Sequence, residues 1–115
     1  MSAFVMNITF DCADPETLAG FWAEVTGYSR TDDPAAPAGG DVVRLDAPDG
    51  RGVPHILFYR VPEPKTVKNR VHVDLATRDV EAEVGRLQEL GARVLYTGAW
   101  WTTMVDPEGN EFCIG

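Results

Sequence analysis

The sequence is short of everything that would mark a stapled, membrane-bound or nucleic-acid-binding protein. Two of its 115 residues are cysteine, Cys12 and Cys113. They have no framework spacing and sit in apolar strand patterns, which excludes a disulfide-built fold and reads as two buried free thiols in a reducing compartment. No apolar run approaches the roughly 18 residues that a membrane-spanning helix needs, and no basic segment leading into an apolar one opens the chain. A cytoplasmic location is expected. Basic residues are also scarce: ten Lys and Arg stand against 18 Asp and Glu, a net charge of −8. That balance argues against nucleic acid and anionic membrane as partners, since both demand a basic surface. An acidic surface serves solubility, whereas acids gathered at a cavity would favour a cationic ligand. A Gly-rich phosphate loop of P-loop or Rossmann form is lacking, and so is a nucleophile elbow.

What is present is a stretch that occurs twice. Asn7-Ile8-Thr9-Phe10-Asp11-Cys12-Ala13-Asp14 opens one half and His72-Val73-Asp74-Leu75-Ala76-Thr77-Arg78-Asp79 opens the other. Each reads as a strand leading into a helix. Side chains along a strand alternate between faces, so Ile8, Phe10 and Cys12 share one face and Asn7, Thr9 and Asp11 the other. In the second copy Val73 and Leu75 oppose His72 and Asp74. Each strand is expected to bury its apolar face under a helix, leaving two polar faces to line one shared cavity.

Local signals extend the repeat. Asp14-Pro15-Glu16 has a capping carboxylate, a proline at the first helical position and an acid in the first turn. Leu18, Phe21, Trp22 and Val25 then form one apolar stripe, and Gly27 stops the helix. Tyr28 to Arg30 reads as a short strand and Thr31 to Gly40 as a loop, a plain connection or a lid. Strands are expected over Asp41 to Asp46 and Val53 to Val61, with a turn at Pro48-Asp49-Gly50. Pro62 to Lys68 is a linker. The second half predicts a strand over Asn69 to Thr77 and a helix capped by Asp79, with Val80, Val84, Leu87 and Leu90 on its stripe and Gly91 at its end. Strands over Ala92 to Thr97, Trp100 to Val105 and Glu111 to Ile114 follow, with a turn at Asp106-Pro107-Glu108-Gly109. A chain of this length suits one domain with its own core. It divides into module one at about 1–61, the linker 62–68 and module two at about 69–115.

In order and spacing, several pieces resemble the vicinal oxygen chelate superfamily, in particular its small glyoxalase-like and bleomycin-resistance-like members. They are Ile8 to Pro15, Phe21-Trp22-Ala23 with Gly27-Tyr28, Arg60 to Lys65, Asn69 to Leu75, and Asp106-Pro107-Glu108-Gly109-Asn110-Glu111-Phe112. The resemblance implies an α+β fold: two βαβββ modules forming a curled mixed β-sheet, with helices on its outer face and a small-molecule site enclosed between the modules. It also implies a homodimer. It does not fix an activity, because the scaffold hosts lyases, isomerases, dioxygenases, thiol transferases and non-catalytic drug binders.

Metal-dependent members of that superfamily hold His or Glu at four strand positions. Here these fall on Asn7, Leu57 (or His55 or Tyr59 after a two-residue slip), His72 and Cys113. His72 alone matches. A catalytic divalent ion needs at least three protein donors, so no cofactor is expected; any metal would have to use His72, Cys113 and His55. The candidate ligand-binding residues are Asn7, Thr9, Asp11, Leu57, Tyr59, His72, Asp74, Trp101 and Cys113, and the candidate catalytic residue is His72. The imidazole can act as a general base oriented by Asp74 or Asn7, contact a ligand without chemistry, or serve as a structural hydrogen bonder. Asp11 and Asp74 can pair with Arg44, Arg60 or Arg70, or select a cation. One of Trp100 and Trp101 faces the cavity, where with Tyr59 and either Thr103 or Met104 it can wall in an aromatic or cationic molecule. Trp22 is assigned to the core. Three functions fit these residues: a metal-free small-molecule binder, a lyase or isomerase using His72, and an interaction module with a vestigial cavity.

Overall fold

The computed structural model describes residues 2–31, 40–49 and 52–115; most of the loop read over 31–40, and Gly50 of the first turn, lie outside them. The chain divides into two compact units, Met1–Pro64 and Lys65–Gly115. The first contains β1 (Asn7–Cys12), α1 (Pro15–Thr26), β2 (Ser29–Thr31), β3 (Val42–Asp46) and β4 (His55–Arg60). The second contains β5 (Asp74–Leu75), α2 (Val80–Leu90), β6 (Arg93–Thr97), β7 (Thr102–Val105) and β8 (Glu111–Ile114). The mixed sheet takes the form of two four-stranded sheets, ordered β1-β4-β3-β2 and β5-β8-β7-β6. In each, the first strand of the unit lies parallel to the last, and the remaining pairs are antiparallel. The two halves repeat one topology, and both are α+β.

The helices begin and end where their residues dictate. The Asp14 carboxylate accepts from the Thr17 amide at 3.3 Å and the Asp79 carboxylate from the Ala82 amide at 3.1 Å, satisfying amides that a first turn leaves unpaired. Both helices stop at glycines with positive φ, 73° at Gly27 and 117° at Gly91, a region that a side chain disfavours. Leu18, Phe21 and Trp22 of the α1 stripe are buried. They meet the apolar face of the first sheet, where Phe10 lies 5.2 Å from Trp22 and 5.3 Å from Phe58 between ring centroids. Val43, Leu45 and Ile56 are buried in the same core. The α2 stripe is buried less fully: Leu87 is enclosed, while Val80, Val84 and Leu90 keep partial exposure.

The strand expected over Asn69 to Thr77 shortens to Asp74–Leu75. Its partner explains why. β8 has four residues and pairs with Asp74 and Leu75; the Cys113 amide also bonds the Val73 carbonyl, and Gly115 bonds the Leu75 carbonyl and the Thr77 amide. Further back, the Asn69 amide bonds the Glu111 side chain at 3.0 Å rather than a strand carbonyl. His72 therefore stands just before the strand, not within it.

The β7–β8 turn is built on Asp106, which is 2% exposed. Its carboxylate accepts from the amides of Glu108 and Asn110, each at 2.9 Å, and from the Asn110 side-chain amide at 3.1 and 2.9 Å.

Candidate functional site

Register fixes which side chains share a face. In the first unit Asn7 pairs with His55, Thr9 with Leu57 and Asp11 with Tyr59, and Arg44 pairs with Leu57 and Thr31. These residues occupy the sheet face turned away from α1. In the second unit Asp74 pairs with Cys113, Cys113 with Thr103, and Thr103 with Tyr96. Laying the two units over each other by register makes Thr9 the counterpart of Asp74, Leu57 of Cys113, and Arg44 of Thr103. The repeat preserves the backbone while the chemistry on its polar face diverges.

On the first face Arg44 Nε reaches Asp46 at 2.5 Å, and the Thr31 hydroxyl bonds the same carboxylate. That hydroxyl, opposed by burial and aided by Arg44, holds the Asp46 carboxyl below its ordinary range. His55 Nδ1 accepts the Ala47 amide at 3.0 Å and lies 3.5 Å from Asp46, so one ring nitrogen is already engaged. Thr9, Asp11 and Tyr59 are exposed and Leu57 is half-buried. Asn7 Oδ1 is buried without a hydrogen-bond partner.

The second unit carries a cavity of about 620 Å³ lined by Lys68, His72, Asp74, Leu75, Trp101, Thr103, Glu111, Cys113 and Gly115. Of the nominated residues, the structure brings His72, Asp74, Trp101 and Cys113 together here. His72 Nδ1 lies 3.2 Å from Asp74 Oδ1, and Cys113 Sγ lies 3.4 Å from Thr103 Oγ1. One donor atom from each of His72, Asp74 and Cys113 falls within 4.8 Å of the others. Trp101 is the tryptophan at the cavity, and Trp100 is 84% exposed. The indole rests on Gly98, where an added Cβ would come within 3.2 Å of the ring. Met104 is in the core, leaving Thr103 as the cavity residue of that pair.

Three expectations change. Cys113 is only half-buried, in contrast to Cys12, because it alternates away from the buried Phe112 and Ile114. Asp74 has His72 for a partner, not an arginine, and 74% of its side chain is exposed. Arg44 and Arg60 bind Asp46 and Asp41 rather than Asp11 or Asp74.

Sequence reasoning passed over Glu111 and Lys68. The spacing of Glu111 and Cys113, two apart on one strand, was a usable sign that both face the cavity, whereas nothing in the linker singles out Lys68. Glu111 accepts from the Asn69 amide and from Lys65 Nζ, each at 3.0 Å. Burial works to raise its carboxyl, but those two donors prevail and hold it at about 2, against an ordinary 4.5. A carboxyl depressed on folding contributes stability above its unfolded value, and that contribution is lost as pH falls from about 4.5 toward 2. Glu111→Gln is expected to cost about 1–3 kcal/mol at pH 7. Denaturation at pH 7 and pH 3 checks this: the gap between wild type and variant should narrow at the lower pH.

The paired βαβββ units, with mixed sheets and a polar face opposite each helix, define the class of protein. The glyoxalase-like domain family model matches residues 7–115; the chain belongs to that family, within the vicinal oxygen chelate superfamily. Its fold is similar to that of a glyoxalase/bleomycin resistance/dioxygenase family enzyme from Burkholderia phytofirmans (TM-score 0.76, 18% identity, 97% of each chain covered). It is also similar to the fosfomycin resistance protein FosX from Mesorhizobium loti (0.76, 13%, 99% of this chain and 91% of that one). A third similar structure is TnmS3, an antibiotic binding protein from a Streptomyces species (0.64, 24%, 99% and 95%). A search of curated proteins finds no match. Among the described residues no helix is long and apolar enough to cross a membrane.

Proposed function

We propose that this protein binds a small aromatic or cationic molecule in the second unit's cavity without the help of a catalytic metal. The observation that carries the reading is the lining itself: an indole wall, a His72–Asp74 pair and a thiol around about 620 Å³, a volume in the range of small-molecule sites. The antibiotic binding and fosfomycin resistance proteins of similar fold support a ligand-holding role. Asn7 and Leu57 speak against the superfamily's four-donor metal centre, since an amide is a weak ligand for a transition metal and an aliphatic chain is none. Asn7, Thr9, Asp11, Leu57 and Tyr59 are proposed as ligand-binding residues on the first unit's own polar face, and the protein is taken to be a cytoplasmic homodimer.

Thermal-shift screening with planar cations and aromatics tests it. A binder at 100 times its Kd should gain about 2.7 kcal/mol, and Trp101→Ala should abolish the gain. Silence across a broad panel would favour a vestigial cavity.

A second reading, a lyase or isomerase acting through His72, is favoured by the proximity of His72, Asp74 and Cys113. Imidazole, carboxylate and thiolate are a donor set that suits zinc or a similar divalent ion, which would act as a Lewis acid there. Elemental analysis decides between the readings: stoichiometric metal, lost on His72→Ala, would overturn the metal-free one.

A further inference from the structure

We propose that Cys113 is a nucleophile that captures a planar α,β-unsaturated carbonyl compound in this cavity, with His72 handling the proton. The inference rests on the reading that the cavity takes a small molecule, and it names the class.

The two cysteines serve different ends. Cys12 is 4% exposed and points its thiol at the Tyr59 carbonyl, 3.5 Å away; it is a core residue. Cys113 stands on the opposite kind of face, half-buried and lining open space. Its sulfur lies 3.4 Å from the Thr103 hydroxyl and has a ring nitrogen of His72 within 4.8 Å. Asp74 engages Nδ1 of that ring at 3.2 Å. The carboxylate orients the ring beside the thiol. A thiol, an imidazole and an orienting carboxylate are the parts of an activated sulfur nucleophile. The rest of the lining selects the electrophile: the Trp101 indole offers a flat face for a conjugated molecule, and Lys68 brings a positive charge to the same cavity.

The step balances without a co-reactant. The thiol proton passes to His72, sulfur bonds the β-carbon, and the C=C π pair moves into the enolate. The imidazolium then returns the proton to the α-carbon. One S–C and one C–H bond form, and one S–H bond and one π bond break.

N-phenylmaleimide is the probe, with intact-mass and peptide mapping as the readout. One adduct is expected, at Cys113, forming at least about tenfold faster than the glutathione adduct under the same conditions. The site should vanish in Cys113→Ser and persist in Cys12→Ser. His72→Asn should slow it by about tenfold or more, general acid–base help being worth about 10²–10⁴ where it operates fully. His72 is 41% exposed in its side chain, so this change leaves the core alone. A Cys113 rate equal to that of glutathione, or one indifferent to His72→Asn, would overturn the proposal. N-phenylsuccinimide, which lacks the double bond, separates the two readings. If it binds and no adduct forms with the maleimide, the cavity is a reversible site and the nucleophile is rejected. If it neither binds nor protects while a fast, His72-dependent adduct forms, capture stands and reversible holding falls.

Discussion

Trp22→Ala is expected to lower stability by about 3–5 kcal/mol, the range for removing a large aromatic from a packed core. Trp22 is 1% exposed and makes ring contacts with Phe10 at 5.2 Å and Phe21 at 5.4 Å. Its removal opens a void between α1 and the first sheet that neighbours held by backbone pairing cannot fill. For a domain near 100 residues each kcal/mol corresponds to about 4–8 °C in Tm, so melting should fall by well over about 10 °C. Circular dichroism is the suitable measurement, because tryptophan emission changes with the substitution itself. Trp100→Ala is the control: at 84% exposure it should change stability by no more than about 0.5 kcal/mol. Equal losses from the two would contradict the packing described for α1.

Asp106→Ala should be nearly as damaging, about 3 kcal/mol, though the residue contributes nothing to an apolar core. One buried carboxylate receives two backbone amides and a side-chain amide, and hydrogen bonds to a charged group are worth about 1.5–3 kcal/mol each. Alanine would strand those donors away from water. Asp106→Asn offers an acceptor without charge and should recover part of the loss. Urea unfolding of the three proteins checks the order wild type, asparagine, alanine. A fall in midpoint at constant slope would show lost stability rather than a changed unfolded state.

Much of the fold was legible because caps, stripes and alternation are local. Asp14 and Asp79 capped the helices as their spacing implied, Gly27 and Gly91 ended them, and β8 occupies Glu111–Ile114 as read. Strand length was less legible. β5 pairs only where β8 runs beside it, and further back the Asn69 amide is taken by the Glu111 side chain, 42 positions away. The candidate site divides in the same way. His72 and Asp74 could be placed on one face from period two, whereas Cys113 entered only through the resemblance to the superfamily's ligand positions. Choosing Trp101 over Trp100 needed the bend in which the Gly98 amide bonds the Trp101 carbonyl at 2.8 Å. The arginine partners were misjudged because Asp41 and Asp46 lie nearer to Arg60 and Arg44 than the acids of the repeated stretch do.

The parallel pairing of β5 with β8 has a consequence for how the second half is born. During synthesis Asp74 and Leu75 emerge early, yet the strand that hydrogen-bonds them is made only after α2, β6 and β7 have been threaded out. Until residues 111–114 exist, β5 stays an orphan edge and His72 has no thiol beside it. Contacts this distant along the chain are slow to close. Assembly of the sheet and the gathering of His72, Asp74 and Cys113 should therefore be one late event.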